Sequence, residues 1–363
     1  MQLPIDKLRQ IACHFFSREK VSVLVIAPTQ AGFSGSITCI LNDPKSGRKH
    51  VLKQLPSLIP INQIHWTHAL AAHVNGRGHQ LLPTASDCNE TRCTPSISTP
   101  KVVTHADGTL WQCLEYIDGQ PLEAPRHDQV ELAITSLADI HNRAAGFHKP
   151  PHRTLSGWER RVQQLRLLAK SKEAPPVRCN TSDENLMHIR ELQIEFLQLI
   201  NAPGLRDTMH RLTRHTMTTV HQPVLRDCWW DHVIFSGSKD LVKGIIDMDA
   251  AGWDDPAVDI ARLLGSWQLE SQQNDAQLFD LWPNAFKSYT TLIEAGENFP
   301  SRVQLYHDTA IISGLQQWFT WLLTENQTFT NMQSVLQRVT LLLGATPAAL
   351  KRLKHLQPKC SVN

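Results

Sequence analysis

The 363-residue chain has almost no charge imbalance, with 36 basic against 34 acidic residues and a formal charge of +2. It therefore offers no bulk attraction to nucleic acid or to an anionic membrane surface. No apolar run approaches the roughly 20 residues that a spanning helix needs. The opening MQLPIDKLRQIACHFF carries charges within an amphipathic helix pattern, unlike a signal sequence. Its eight cysteines include no CxxC pair and no short framework, so they read as reduced thiols in a cytoplasmic protein. Cys88 and Cys93 share one polar loop and are placed to pair in an oxidising compartment. No repeat period appears. What remains is a soluble globular chain with a full core, at 41% hydrophobic and 19% charged residues. Its expected partner is a small molecule; no protein partner is legible.

Two periodicities divide the chain. VSVLVIA (Val21 to Ala27), Ile37 to Leu41 and HVLKQL (His50 to Leu55) read as short strands separated by PTQAGFSGS and NDPKSGR. Asn62 to Asn75 carries Ile64, Ala69, Ala72 and Val74 at helical spacing and stops at Gly76. Lys101 to His105 and Thr109 to Tyr116 read as a hairpin. Gly119-Gln120-Pro121 breaks the chain, and the boundary falls there, giving an N-lobe over 1–118 and a C-lobe over 119–363. From Asp128 the period becomes 3.6, with Val130, Ala133, Ile134, Leu137 and Ile140 in one stripe. Further helices are predicted over 158–168, 186–200, 256–267, 276–295, 302–324 and 332–343. The predicted class is α+β, a small antiparallel sheet followed by a large mainly helical part.

Acids sit in an unusual place between Val224 and Trp267, a run that begins VLRDCWWDHVIF and continues VKGIIDMDAAGWDDPAVDIA. Asp227 precedes a loop and Asp247 ends a strand, so both are expected at strand edges facing one crevice. Phosphoryl transfer needs one carboxylate to orient the attacking hydroxyl and others to hold the metal that bridges nucleotide phosphates. His232 lies five residues after Asp227, and Asp247 lies twenty after it. Asp249 reads as a second metal contact or as a turn cap. Asp255 before Pro256 reads as a helix N-cap, and Asp259 as a buried hydrogen-bonding strut. Trp229 and Trp230 can stack a substrate ring or simply pack.

These residues resemble the C-lobe signature of the aminoglycoside phosphotransferase and choline kinase family, within the protein-kinase-like superfamily. Its usual form is HGDxxxxNxxF followed by IDFxxAxxxDPxxDLA. Asp247, Ala251, Gly252, Asp255, Pro256, Asp259 and Ala261 match the second half, and Leu137 to His141 resembles the family's LxxLH helix end. The resemblance covers roughly residues 20 to 270. It implies a two-lobed protein-kinase-like fold, ATP with Mg²⁺ as cofactors, and a hydroxyl-bearing small molecule as substrate. It implies Asp227 as catalytic base, with Arg226 beside it resembling the Arg of the protein-kinase HRD triplet. His232, Asp247 and Asp249 would be metal contacts. Lys53 would meet the nucleotide phosphates, as would the loop Gly32, Phe33, Ser34, Gly35 and Ser36. The backbone of the WQCLEY segment, ending in Glu115 and Tyr116, would meet the adenine.

Three departures stand out. Leu225 and Arg226 replace the family's His-Gly, and His232 replaces its metal-binding Asn, which admits Mn²⁺ beside Mg²⁺. The helix after the third strand offers His65, His68 and His73 but no glutamate to pair with Lys53. Two other readings therefore stand beside the kinase: a catalytically impaired kinase-like binding or regulatory protein, and a metal-dependent hydrolase using His232 and Asp247. The second lacks the three-ligand cluster of a catalytic zinc site.

Overall fold

The structure is a computed structural model that describes residues 3–28, 36–56, 59–85, 102–151, 155–170, 183–214, 221–270, 281–296, 298–329 and 331–355. Its N-terminal part is an antiparallel sheet of five strands in the order β1-β2-β3-β5-β4. These are β1 (Val25–Pro28), β2 (Thr38–Asn42), β3 (Lys49–Leu55), β4 (Val102–Thr104) and β5 (Leu110–Glu115). Lys53 stands opposite Thr38 on one side and Gln112 on the other. Helices α1 (Ile5–Ala12) and α2 (Arg18–Val23) close the sheet's core, where Leu8, Ile11 and Phe16 pack with Leu41, Leu52 and Trp111.

VSVLVIA does not form one strand. Val21 and Val23 belong to α2, and β1 starts at Val25. The Ser17 hydroxyl accepts from the Lys20 N–H and caps α2, a local signal that overrides the strand preference of the valines.

Helix α3 (Ile61–Asn75) ties the sheet to the helical part. Trp66, Leu70, Ala71 and Val74 join the larger core, with Val130, Ile134 and Leu137 of α4 (His127–Ala144). Polar Gln63, Thr67 and His68 are buried too, so the helix is covered around most of its circumference. The remaining helices are α5 (Gly157–Lys170), α6 (Glu184–Ile200), α7 (Leu205–Arg214), α8 (Ala257–Glu270), α9 (Leu281–Leu292), α10 (Phe299–Phe319) and α11 (Met332–His355). A π-turn, Thr320–Thr324, extends α10, and α11 runs on through Pro347, beyond the expected end at 343. Helix α7 had no sequence expectation; its buried face is only Thr208, Met209 and Leu212.

Two short strand pairs interrupt the helices. β6 (Gln222–Val224) pairs with β9 (Gly252–Asp254), and β7 (Val233–Phe235) pairs with β8 (Val242–Ile245). Among the described residues no helix is long and apolar enough to cross a membrane. Among the described residues Cys13, Cys39, Cys113 and Cys228 are in no disulfide, whereas Cys88 and Cys93 lie outside the described residues.

Candidate active site

The paired strands explain how residues twenty apart in sequence become neighbours. Asp227 follows β6 by three residues, and β9 returns the chain beside β6. Between them the β7–β8 hairpin closes with Val233 opposite Ile245, and the Ile246 N–H donates to the His232 carbonyl at 2.9 Å. Arg226 and Asp247 both take left-handed backbone angles, with φ of 65° and 63°. For a residue with a side chain that costs about 1–2 kcal/mol, so the surroundings must over-determine it.

At Arg226 the brace is Asp259, fully buried on α8. Its Oδ1 accepts the Arg226 N–H at 2.6 Å, and its Oδ2 accepts the Leu225 N–H at 2.7 Å. His141 of α4 donates Nε2–H to the same Oδ2 at 3.0 Å, leaving Nδ1 for the Tyr289 hydroxyl at 2.8 Å. Asp259 is thus the strut that shapes the loop before Asp227. Asp255 accepts the Ala257 N–H at 3.0 Å, capping α8, and binds Arg302 at 3.0 Å.

The Arg226 side chain turns away from the Asp227 carboxylate. It is buried, and its guanidinium meets Asp254 Oδ2 at 3.1 Å and the carbonyls of Trp253 and Leu155 at 3.0 and 3.2 Å. These contacts tie the loop before Asp227 to β9 and to Leu155.

Lys53 reaches from β3 into the helical part. Its Nζ lies 2.8 Å from Asp247 Oδ1 and 2.8 Å from Asp249 Oδ2. Burial works to lower the Lys53 ammonium, but the Asp249 and Asp247 carboxylates outweigh it and hold it above its ordinary value. Burial likewise works to raise the Asp247 carboxyl, and Lys53 with His232 holds it below the usual carboxylate range. Asp249 Oδ1 accepts from Gln112 Nε2 at 3.3 Å, and Gln112 Oε1 faces His68 Nε2 at 2.7 Å. With Gln112 donating to Asp249 and accepting from His68, the polarity of this chain is set from α3 to Lys53.

His232 links the two halves. Its Nδ1 is 2.8 Å from the Asp227 carbonyl, which can only accept, so Nδ1 carries a proton. Nε2 is then directed toward Asp247 Oδ2 at 3.9 Å and Asp231 Oδ1 at 3.7 Å. The Asp247 carboxylate and the His232 Nε2 are donors that a divalent ion takes, and Mg²⁺ commonly uses one or two protein ligands beside phosphates and water. Among the described residues no group of three or more His, Cys, Asp or Glu is placed to hold a metal ion.

Asp227 is 43% exposed at its side chain. Its Oδ1 accepts from Arg262 Nε at 2.9 Å, and Arg262 Nη2 lies 2.8 Å from the same oxygen as an ion pair. Burial works to raise its carboxyl, but Arg262, His232 and Arg338 outweigh that and hold it below the ordinary range. Trp229 is buried, and the guanidinium carbons of Arg262 and Arg338 lie over its ring at 4.4 and 4.2 Å. That ring carries the protein's own cations. The Trp230 N–H donates to Ser266 Oγ at 2.9 Å.

Lys53, His232, Asp247 and Asp249 therefore lie side by side, and His232 joins them to the backbone of Asp227. The other expected residues that the structure describes have partners of their own. Glu115 accepts from Gln80 at 2.9 Å and from Thr84, while its own N–H goes to the Thr84 carbonyl. The Tyr116 N–H goes to the Lys49 carbonyl, so both amide donors are engaged within the sheet's surroundings. Ser36 is buried, and Gly32, Phe33, Ser34 and Gly35 lie outside the described residues.

Sequence reasoning missed Arg262, Arg338, Gln112 and His68 as site residues. A signal existed for Arg262: it follows Asp259 by three residues in α8, the spacing that shares a helix face. The same face thus serves successive residues of the Asp227 loop. Arg338 lies more than a hundred residues downstream, and nothing local marks it.

Comparison with known proteins bears on the fold and the family. No curated protein matches the chain. Among solved structures, a spectinomycin phosphotransferase in complex with ADP and spectinomycin aligns at TM-score 0.63 and 11% identity, covering 95% of this chain and 98% of that one. An amicoumacin kinase aligns at 0.61 and 11% identity over 98% and 95%. A Plasmodium vivax ethanolamine kinase aligns at 0.60 and 12% identity over 96% and 89%. At such identities these likenesses establish the protein-kinase-like fold alone. The model of the phosphotransferase enzyme family APH, however, matches residues 26–283, well over half the sequence. This chain belongs to that phosphotransferase family.

Proposed function

We propose that the chain is an ATP-dependent phosphotransferase acting on a hydroxyl group of a small molecule. The observation that carries this is the meeting of Lys53 and Asp247 at 2.8 Å, one loop away from an Asp227 carboxylate open to solvent. Bound MgATP would supply the transferable phosphoryl group and the cation bridging its phosphates.

Asp227, held below the ordinary carboxylate range, stays charged at neutral pH and can accept the hydrogen bond of an incoming hydroxyl. Arg262 fixes one oxygen of that carboxylate and so orients it. Asp247 and His232 would hold the divalent ion, with the imidazole's free lone pair set by the Asp227 carbonyl. Asp249 has both oxygens engaged, by Lys53 and Gln112, so its role in this reading is to hold the lysine. The His68–Gln112–Asp249 chain runs from α3, where the family resemblance places a glutamate. Lys53 would then be anchored through three residues in place of one.

ADP release is the assay, run with ATP and Mg²⁺ or Mn²⁺ against a panel of small alcohols. Asp227→Ala should lower the rate by at least ~10²-fold, the scale for losing a positioned base. Equal rates for both proteins would remove Asp227 from catalysis. Absence of thermal stabilisation by ATP with either metal would favour the kinase-like binding protein instead.

A further inference from the structure

Three elements converge beside Asp227: the loop carrying Trp229, α8 with Arg262, and α11 with Arg338. Arg262 binds Asp227 Oδ1 through Nε and Nη2, and Arg338 binds Glu270 at 2.6 Å. Both guanidinium carbons lie within 4.4 Å of the Trp229 ring centre. We infer that the acceptor is an anionic alcohol, carrying a carboxylate or phosphate near its reacting hydroxyl, and that Arg262 and Arg338 recognise the anion.

The inference rests on the phosphotransferase reading above and names its substrate class. A hydroxyl delivered to Asp227 must arrive alongside Arg262, because the guanidinium already grips the same carboxylate. A guanidinium has five N–H donors. Asp227 engages the Nε and Nη2 of Arg262, so donors remain for a second, planar acceptor, and Arg side chains suit carboxylates and phosphates in that geometry. The Arg262 side chain is 37% exposed, which keeps it within reach of a ligand.

A cationic acceptor meets the opposite conditions. Its ammonium would approach two guanidinium groups, each already paired with a carboxylate, Asp227 or Glu270, and would have to compete with them for those acids. The aromatic face that would ordinarily receive a cation is Trp229, which already carries the two arginines. The nearby acids do not reverse this: Glu270 is engaged by Arg338, and Asp231, about half exposed, lies 3.7 Å from His232.

The test uses the full chain with MgATP and matched acceptors: glycerate and glycerol 3-phosphate as anions, glycerol as the neutral analogue, ethanolamine and choline as cations. Asp227-dependent ADP release should favour an anionic acceptor over glycerol by about 10- to 100-fold in kcat/KM, the scale of a charge-assisted hydrogen bond. The carboxylate and phosphate arms tell which anion is read. Arg338→Gln should raise KM for that acceptor by about 10-fold, with KM for ATP moving less than about twofold, and Arg338→Lys should recover part of the loss. A merely structural Arg338 would shift both KM values together, and that result would overturn the inference. So would preference for ethanolamine, choline or glycerol, or no Asp227-dependent transfer to either anion while ATP still stabilises the protein. Loss of the ATP stabilisation itself would instead overturn the kinase reading.

Discussion

Replacing Lys53 by Met tests whether charge organises the site. Asp247 Oδ1 and Asp249 Oδ2 each lie 2.8 Å from the Lys53 nitrogen, so they are at most about 5.6 Å apart (twice 2.8 Å). At that spacing two unit charges repel by about 3 kcal/mol when the effective dielectric constant is about 20. Asp247 is 37% exposed and Asp249 22%, and solvent screening reduces the figure. The expected loss of stability is about 1–2 kcal/mol near neutral pH.

The sign with pH is fixed by the two shifts. Asp247 is depressed, so its contribution is present above the unfolded carboxylate value of about 3.9 and is lost as pH falls through its lower folded value. Lys53 is raised, so its contribution is present below about 10.4 and is lost as pH rises through its higher folded value. Urea unfolding followed by tryptophan fluorescence should therefore show a steady difference between wild type and Lys53→Met at about pH 6–8, shrinking toward about pH 3. Adding Asp249→Asn to Lys53→Met should restore part of the loss, because one of the facing charges is gone. If the deficit were as large at about pH 3 as at neutrality, packing and not charge would be its cause, and the reasoning would fail.

Other expectations concern the scaffold. A Cβ on Gly265 of α8 would stand 2.3 Å from His307 Nδ1, so Gly265→Ala should cost about 1–3 kcal/mol by overpacking, and an unchanged denaturation midpoint would refute the close approach. Burial, with help from Arg352, pushes His307 down to about 3. Its neutral form therefore stabilises the fold above the unfolded value of about 6.5, and this contribution drains away as pH falls toward 3. The amount is on the order of 3–5 kcal/mol, and His307→Gln should flatten the acid limb of the stability curve. Arg226→Met leaves the fully buried Asp254 without its 3.1 Å partner and should cost about 3 kcal/mol, eased by Asp254→Asn; a loss of activity with full stability would give Arg226 a catalytic role.

Much of the fold was legible because its signals are local. The periods of two and 3.6, the Gly76 stop and the hairpin around Ala106-Asp107-Gly108 each depend on a few adjacent residues, and the corresponding elements stand within a few positions of expectation. The strand expected from Val21 begins instead at Val25, because a serine cap, also local but weaker in pattern than a run of valines, starts helix α2 and draws Val21 and Val23 into it. Helix α7 escaped because its ten residues are mostly polar and only Thr208, Met209 and Leu212 are buried, too few apolar positions to mark a stripe.

For the site, the sequence alone determined the spacing of its carboxylates, since Asp227, Asp247, Asp255 and Asp259 lie within one continuous stretch that the β6–β9 and β7–β8 pairs fold back on itself. Only the tertiary structure decided their partners. Lys53 meets Asp249 across 196 positions of sequence, Arg338 meets Glu270 across 68, and the His68–Gln112 contact bridges a helix and a strand. Such pairs carry no local period, because they arise from how the sheet and the helices pack. Long flexible side chains on distant elements find one another only once the buried core has brought their backbones within reach.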